Sequence, residues 1–123
     1  MKILKFGGTS VANAQNIKLV LDIVQNKSKH DQLVVVVSAF SKVTDLLQLA
    51  SIKAAANDES YKEIVAEIEK KHLDALKELI PVSEQSSLLS HIKRIINHLE
   101  TLLDGCFLLG ELSHRTTDTI LSF

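Results

Sequence analysis

Two short apolar segments near the start of the chain are separated by a helical pattern. Met1 to Phe6 is mostly apolar and runs into Gly7-Gly8, which predicts a strand ending in a tight turn. Leu33 to Val37 is a run of five apolar residues, four of them β-branched, which predicts a parallel strand covered on both faces. Strand, helix and strand together predict a right-handed βαβ unit. The helical face between the strands carries Ile17, Val20, Leu21 and Val24, at i, i+3, i+4 and i+7.

The rest of the chain is predicted to be helical. Thr44 or Asp45 is placed to cap a helix that Asn57-Asp58 breaks. A longer helix is predicted from about Ser60 to Ile80, since Pro81 follows directly. The pattern therefore favours two helices in succession after the βαβ unit.

Two more helices are predicted beyond the proline. Ser83 is placed to cap the first of them and Gly105 to end it, and a last helix begins near Ser113. The helices before and after the proline are expected to form an antiparallel hairpin of about four to five turns each. The apolar stripe is interpreted as core packing, with a dimerisation face as the alternative. That stripe consists of Leu88, Ile92, Ile95, Leu99 and Leu102.

Composition narrows the class of protein. The chain has 123 residues, 46% hydrophobic and 24% charged, which is typical of one soluble globular domain. A net charge of -1 gives no electrostatic reason to expect nucleic acid as a partner. No apolar run is long enough to predict a membrane span. The single cysteine, Cys106, lies among apolar neighbours and is interpreted as an inert core thiol of a cytoplasmic protein.

The turn after the first strand is a candidate phosphate site. Gly7 and Gly8 would let backbone amides approach phosphate oxygens closely, because glycine has no β-carbon. Thr9 and Ser10 add hydroxyl donors, and Lys5 can place an ammonium beside the same anion. The glycine spacing matches neither the P-loop nor the dinucleotide-binding pattern. The alternative is a plain glycine turn beside a surface lysine.

The second strand ends in polar residues at the same predicted edge of the sheet. Ser38 follows the strand directly, and Thr44 lies at the next helix start, where a hydroxyl and amides can hold a carboxylate. A strand-end turn followed by a helix cap is the alternative. No metal site is predicted, because His91 and His98 lack the further ligands that would complete one.

Three stretches of the chain carry a family resemblance. They are KFGGTSV at 5–11, VVVVSA at 34–39 and ELSHRTTDTILSF at 111–123. Together with Thr44, they resemble the aspartokinase family of the amino-acid kinase superfamily over the whole chain. The continuations Ala12-Asn13-Ala14 and Lys42-Val43-Thr44 are most similar to bifunctional enzymes in which aspartokinase is fused to homoserine dehydrogenase.

The resemblance implies a fold and a reaction. The fold is α/β, the N-terminal part of a carbamate kinase-like three-layer α/β/α fold with a long helical hairpin. The reaction moves the γ-phosphate of ATP, with Mg²⁺, to the side-chain carboxylate of L-aspartate, giving 4-phospho-L-aspartate. This is the first step towards threonine, methionine and lysine. NADP is implied only if a homoserine dehydrogenase domain follows.

The resemblance also implies a role for each candidate residue. Lys5 would be catalytic, steadying the transferring phosphoryl group, and Gly7, Gly8 and Thr9 would bind the ATP phosphates with it. The aspartate pocket would include Ser38 and Thr44. The family usually has proline where His114 stands in this chain. That difference touches no ligand.

Residues 1–123 are expected to be an incomplete N-terminal portion of a catalytic domain, inactive alone, from an enzyme that is a homo-oligomer at full length. Two alternatives stay open. One is a superfamily kinase acting on another carboxylate or carbamate. The other is a non-catalytic helical interaction module.

Overall fold

The computed structural model describes all residues from Met1 to Phe123. The predicted sequence of two strands and five helices is confirmed. The chain forms two compact units, Met1–Val43 and Thr44–Phe123. In order, the elements are β1 (Lys2–Phe6), α1 (Ala14–Ser28), β2 (Leu33–Val37), α2 (Val43–Ala55), α3 (Tyr61–Leu79), α4 (Val82–Leu109) and α5 (His114–Leu121).

The first unit is built on the parallel pairing of β1 with β2. Lys2 lies beside Leu33 at one end of the pair, and Phe6 lies beside Val37 at the other. Parallel strands cannot be joined by a tight turn, and α1 supplies the crossover between them. The predicted βαβ unit is therefore confirmed, and the class is α/β with most residues in helices.

Helix α1 lies over one face of this sheet. An apolar groove between them is lined by Val24 of the helix and by Val35 and Val37 of β2. Because side chains alternate along a strand, Val34 and Val36 point to the opposite face. They are 43% and 44% exposed, and Val37 is 60% exposed. The prediction that β2 is covered on both faces is wrong, because a single helix packs on this two-stranded sheet.

Helices α3 and α4 form a hairpin in the second unit. Only Ile80 and Pro81 separate them, and so short a connection makes neighbouring helices antiparallel. Helix α3 has 19 residues, about five turns, which agrees with the prediction. Helix α4 has 28 residues and is longer than predicted, at about eight turns.

The buried face of α4 is close to the predicted apolar stripe but rotated from it. Leu99 is 1% exposed, as the core interpretation requires, whereas Leu88 and Ile95 are 40% and 39% exposed. The helix keeps the same spacing of three and four residues, offset so that different positions face the core. The buried positions are Ile96, Leu99, Leu103 and Cys106.

The end of α4 is set by Gly110 and not by Gly105. Gly105 lies inside the helix, and an added β-carbon there would meet no atom within 4 Å. Gly110 has a φ of 67°, the left-handed conformation that suits glycine. Asn57 packs against it, and the Asn57 side-chain amide donates to the carbonyl oxygen of Phe107 at 2.6 Å. The predicted stop at Gly105 is wrong because the apolar pattern of the helix continues past it.

The predicted capping residue of α5 is confirmed, whereas that of α4 is not. Ser113 caps α5, and its Oγ accepts a hydrogen bond from the backbone N–H of Thr116 at 3.1 Å, which confirms the predicted start. Helix α4 begins at Val82, with Pro81 at the cap position. Ser83 therefore lies inside the first turn, and its predicted role as a cap is wrong.

Two titratable side chains, Tyr61 and Cys106, are buried in the second unit. The Tyr61 hydroxyl donates to the carboxylate of Asp104. Burial, together with this carboxylate, raises the pKa of Tyr61 to about 12. Cys106 is free and 5% exposed, and burial raises the pKa of its thiol. The burial confirms the predicted core position of Cys106, and a thiol with a raised pKa stays protonated at neutral pH.

Replacing the glycine inside α4 and the glycine that follows its end is expected to have opposite effects. Gly110→Ala is expected to lower the free energy of unfolding by about 1–2 kcal/mol, because it places a β-carbon in the left-handed region. Gly105→Ala is expected to raise it by about 0.5–1 kcal/mol, since alanine favours a helix interior. Urea titrations followed by circular dichroism measure both values. A loss of stability in Gly105→Ala would contradict the position of the helix end.

Candidate functional site

A tight turn follows β1 at the edge of the sheet where both strands end. The backbone N–H of Ser10 donates to the carbonyl oxygen of Gly7 at 3.0 Å and closes the turn. Lys5, two residues earlier, is exposed and lies beside Val36 of β2. The turn and the lysine therefore lie at the carboxyl end of a parallel strand pair, where α/β proteins bind ligands.

The two glycines of this turn are not required by the packing of the chain. Neither Gly7 nor Gly8 has a positive φ. An added β-carbon on Gly7 would meet nothing within 4 Å, and one on Gly8 would lie in ordinary contact with Ala39 and Ser38. The chain could therefore fold with alanine at both positions. A close approach by a ligand is one physical reason for glycine here.

The carboxyl end of β2 meets the glycine turn. The nearest atoms to an added β-carbon on Gly8 are the Ala39 carbonyl oxygen at 3.7 Å and Ser38 Oγ at 3.9 Å. The backbone N–H of Ser38 donates to the carbonyl oxygen of Phe6 at 3.1 Å, which holds the two chain segments together. Ser38 is exposed, and its hydroxyl forms no hydrogen bond within the chain. The structure thus brings Ser38 and the turn together at one edge.

Two asparagines at the start of α1 were not among the predicted site residues, and one of them bonds to the turn. Asn13 caps α1, and its Oδ1 accepts from the backbone N–H of Asn16 at 2.9 Å. The side-chain amide of Asn16 donates to the carbonyl oxygen of Thr9, also at 2.9 Å. Asparagine directly before a helical pattern is a cap signal that identifies Asn13 from sequence. No local pattern identifies Asn16, because its contact is made across the turn.

The turn presents donors to an anion. The amides of Gly8 and Thr9 form no hydrogen bond within the chain, and the Lys5 ammonium is exposed close by in sequence. Successive free amides and an ammonium favour phosphate binding. Magnesium in proteins is usually held in part by carboxylates, and residues 5–10 include none. The residues of the turn therefore fit a phosphate group.

Thr44 lies in the second unit, at the start of α2. The helix begins at Val43, so Thr44 and Asp45 lie in its first turn and the predicted cap role of both is wrong. Thr44 is exposed. Lys42, which lies two residues before Thr44, has a φ of 69°, an uncommon conformation for a residue with a side chain. The hydroxyl of Thr44 is available to a ligand at a helix N-terminus.

Comparison with known families agrees with this arrangement. The family model that matches residues 1–116 is described as "Amino acid kinase family". The chain belongs to the amino acid kinase family. Members of this family are α/β proteins, which agrees with the parallel βαβ unit of the first 43 residues.

Relatives similar to this chain are named as aspartokinases and as bifunctional aspartokinase/homoserine dehydrogenases. Bifunctional aspartokinase/homoserine dehydrogenase 2 of Arabidopsis thaliana is 34% identical over 94% of this chain and 13% of the relative. Aspartokinase 1 of the same plant is 35% identical over 98% of the chain and 21% of the relative. Aspartokinase of Candida albicans is 32% identical over 98% and 23%. The chain thus spans about an eighth to a quarter of the length of these relatives.

Two further observations concern the cellular location of this protein. No helix of the chain is long and apolar enough to cross a membrane. Both Arabidopsis relatives are named as chloroplastic. The cytoplasmic location of this chain stays a prediction, as does the absence of a nucleic-acid partner.

The free space around Gly8 predicts that an added methyl group does not harm the fold. Gly8→Ala is expected to leave the free energy of unfolding unchanged or to raise it by up to about 1 kcal/mol, because alanine restricts the unfolded chain. Gly110→Ala, at a positive φ, is the matched control that loses stability. Denaturant titration compares the two variants. A loss of more than about 1 kcal/mol in Gly8→Ala would show that the fold itself requires this glycine.

Proposed function

We propose that this chain is the N-terminal portion of an aspartokinase catalytic domain and supplies its phosphate-binding turn. The reaction is transfer of the ATP γ-phosphate to the side-chain carboxylate of L-aspartate, giving 4-phospho-L-aspartate for threonine, methionine and lysine synthesis. Membership of the amino acid kinase family and the names of the similar relatives support this proposal. The complete domain has the three-layer α/β/α fold in this proposal.

The observation that carries the proposal is the pair of glycines at the meeting point of two strand ends. Gly7 and Gly8 have room for side chains and no positive φ. Nucleotide phosphates approach backbone amides closely, and a β-carbon would hold them away. A ligand that needs this approach therefore accounts for the glycines, and the free amides of Gly8 and Thr9 supply its hydrogen bonds.

The chemistry assigned to these residues is positioning and charge neutralisation. Phosphoryl transfer is accelerated mainly by holding the reactants in line and by stabilising charge on the phosphoryl oxygens. In the proposed arrangement the Lys5 ammonium neutralises that charge while Gly7, Gly8 and Thr9 bind the ATP phosphates. Ser38 and Thr44 bind the aspartate. Hydroxyl groups suit this task because they donate to a carboxylate without being ionised.

The remaining partners of the enzyme lie outside these residues in the proposal. Mg²⁺ accompanies ATP through phosphate oxygens, because the turn has no carboxylate for it. NADP enters only if a homoserine dehydrogenase domain follows, and the full-length enzyme is proposed to be a homo-oligomer. The 123 residues alone are proposed to be inactive. Orientation of both reactants is worth about 7–11 kcal/mol of the barrier, and half a site cannot provide it.

The role of Lys5 is tested in the full-length enzyme. Lys5→Met is expected to lower kcat by on the order of 10²–10³, the usual loss when one preorganised contact to the transition state is removed. Lys2→Met is the matched control on the same strand. Lys2 forms an exposed ion pair with Asp31 at 3.0 Å, and such pairs contribute little. A coupled assay of ADP release measures both variants.

The outcomes of the Lys5 experiment separate the alternatives. An unchanged kcat in Lys5→Met removes this lysine from the reacting phosphate. Equal losses in Lys5→Met and Lys2→Met indicate damage to β1 instead of a catalytic effect. Turnover with another carboxylate or carbamate, and none with aspartate, supports a different kinase of the same family. No turnover with any acceptor in the unsubstituted enzyme supports the helical interaction module.

Thr44 is expected to act in substrate binding more than in chemistry. A hydroxyl at a helix start holds a carboxylate in the ground state and in the transition state alike. Thr44→Val in the full-length enzyme should therefore raise KM for aspartate more than it lowers kcat. Thr101→Val is a control, because Thr101 bonds only to the Asn97 carbonyl oxygen within α4, at 3.0 Å. A rise in KM for ATP, and not for aspartate, would show that Thr44 is not in the aspartate pocket.

A further inference from the structure

The backbone of the glycine turn, residues 7–10, is held by two hydrogen bonds that end on one peptide group, the group between Thr9 and Ser10. The N–H of this group, from Ser10, donates to the carbonyl oxygen of Gly7 at 3.0 Å. Its carbonyl oxygen, from Thr9, accepts from the side-chain amide of Asn16 at 2.9 Å. Because a trans peptide is planar and its N–H and C=O point in opposite directions, the two bonds together keep the group from rotating.

The direction of the Thr9 carbonyl group matters to an anion at the turn. The amides of Gly8 and Thr9 form no hydrogen bond within the chain and are free to donate. A carbonyl oxygen carries partial negative charge, so it would repel a phosphate if the peptide group turned towards it. Gly7 and Gly8 leave the backbone free to turn in this way, since glycine restricts its own dihedral angles least. The bond from Asn16 opposes that rotation by drawing the oxygen towards α1.

Helix α1 itself does not need the side chain of Asn16. Asn16 is the third residue of the helix, and its backbone N–H is already bonded to Oδ1 of Asn13 at 2.9 Å. Its side chain bonds away from the helix, to a residue seven positions earlier. Alanine favours a helix more than asparagine does. The contact with Thr9 is therefore what asparagine contributes at this position.

We propose that Asn16 is a positioning residue of the phosphate site. Its amide fixes the Thr9 carbonyl group so that the amides of Gly8 and Thr9 are directed at the ATP phosphates, and Asn16 itself touches no substrate. The role rests on the proposed function, since it requires the turn to bind ATP. The bonds that carry it are made entirely between residues of the first compact unit.

The test uses the full-length enzyme and compares Asn16 with its neighbour Gln15. Gln15 lies in the same first turn of α1, is exposed, and forms no side-chain hydrogen bond within the chain. Asn16→Ala is expected to raise KM for ATP by about three- to tenfold, the effect of one hydrogen bond, and to leave KM for aspartate unchanged. Gln15→Ala should change neither constant. An unchanged KM for ATP in Asn16→Ala, or equal effects of the two variants, would overturn the proposal.

Nucleotide binding gives a measurement that needs no turnover. In calorimetric titrations with the magnesium complex of a non-hydrolysable ATP analogue, Asn16→Ala should raise the dissociation constant by the same factor. Its midpoint of thermal unfolding should not fall, because alanine suits the helix. Asn16→Gln keeps an amide donor on a longer side chain and should bind the analogue more tightly than Asn16→Ala. No recovery in Asn16→Gln, or a lower unfolding midpoint in Asn16→Ala, would indicate a structural role and overturn the proposal.

A pair of aspartate variants separates the hydrogen bond from a general effect of charge. Asn16→Asp keeps the shape of the side chain, but a carboxylate cannot donate to the Thr9 carbonyl oxygen. Gln15→Asp adds the same charge to the same turn of α1, and a negative charge stabilises a helix start in both variants. Asn16→Asp should weaken binding of the analogue more than Gln15→Asp does. Equal losses would assign the effect to charge and overturn the proposal.

The same measurements distinguish the role of Asn16 from the proposed function. If the unsubstituted enzyme neither binds the analogue nor turns over aspartate, the proposed function fails and the role of Asn16 fails with it. Aspartate turnover with unchanged constants in Asn16→Ala overturns the role of Asn16 alone. Binding of the analogue that depends on Asn16, without aspartate turnover, supports the role of Asn16 and contradicts aspartate as the substrate.

Discussion

The parallel pairing of β1 with β2 is the constraint on which the arrangement of the first unit depends. Parallel strands must be joined by a crossover, and their carboxyl ends must lie at the same edge. The bonds that frame the pair run from Lys2 to Gln32 and from Ser38 to Phe6. These bonds fix the register, and the register brings the end of β2 against Gly8. A shift of one residue would reverse the faces of all side chains on β2 and move Ser38 away from the turn.

Much of this architecture could be predicted from the sequence because its signals are local. A run of β-branched residues, apolar spacing of three and four, and serine before a helix each report on a few neighbouring residues. The end of α4 could not be predicted in this way. Gly105 and Gly110 are both plausible stops by local rules. What distinguishes them is the left-handed φ of Gly110 and its contact with Asn57, which lies far away in the sequence.

The residues of the candidate site also differ in whether the sequence alone identifies them. Glycine and hydroxyl residues at strand ends could be selected from the sequence, because the parallel fold requires the strand ends to meet. Asn16 could not, since its bond to the Thr9 carbonyl oxygen exists only once the turn has folded over the start of α1. The exposure of β2 could not be predicted from the sequence either. An apolar run indicates that both faces of a strand can be buried, whereas the exposure of the strand depends on which elements pack on it.

The glycine turn and the outer edge of β2 share one physical feature, which is backbone polar groups without a partner in the chain. They differ in what they can bind. At the turn the free groups are amide N–H donors, those of Gly8 and Thr9, beside the lysine of β1, and such a set selects an anion. Along the edge of β2 that faces away from β1, the N–H and C=O groups of Leu33, Val35 and Val37 alternate, and such a row pairs with another strand, which the larger sheet of the proposed complete domain would supply. An anion cannot satisfy the carbonyl groups of the edge, and a strand cannot supply the negative charge that the turn favours. The two surfaces therefore do not compete, although both result from the same pairing of β1 with β2.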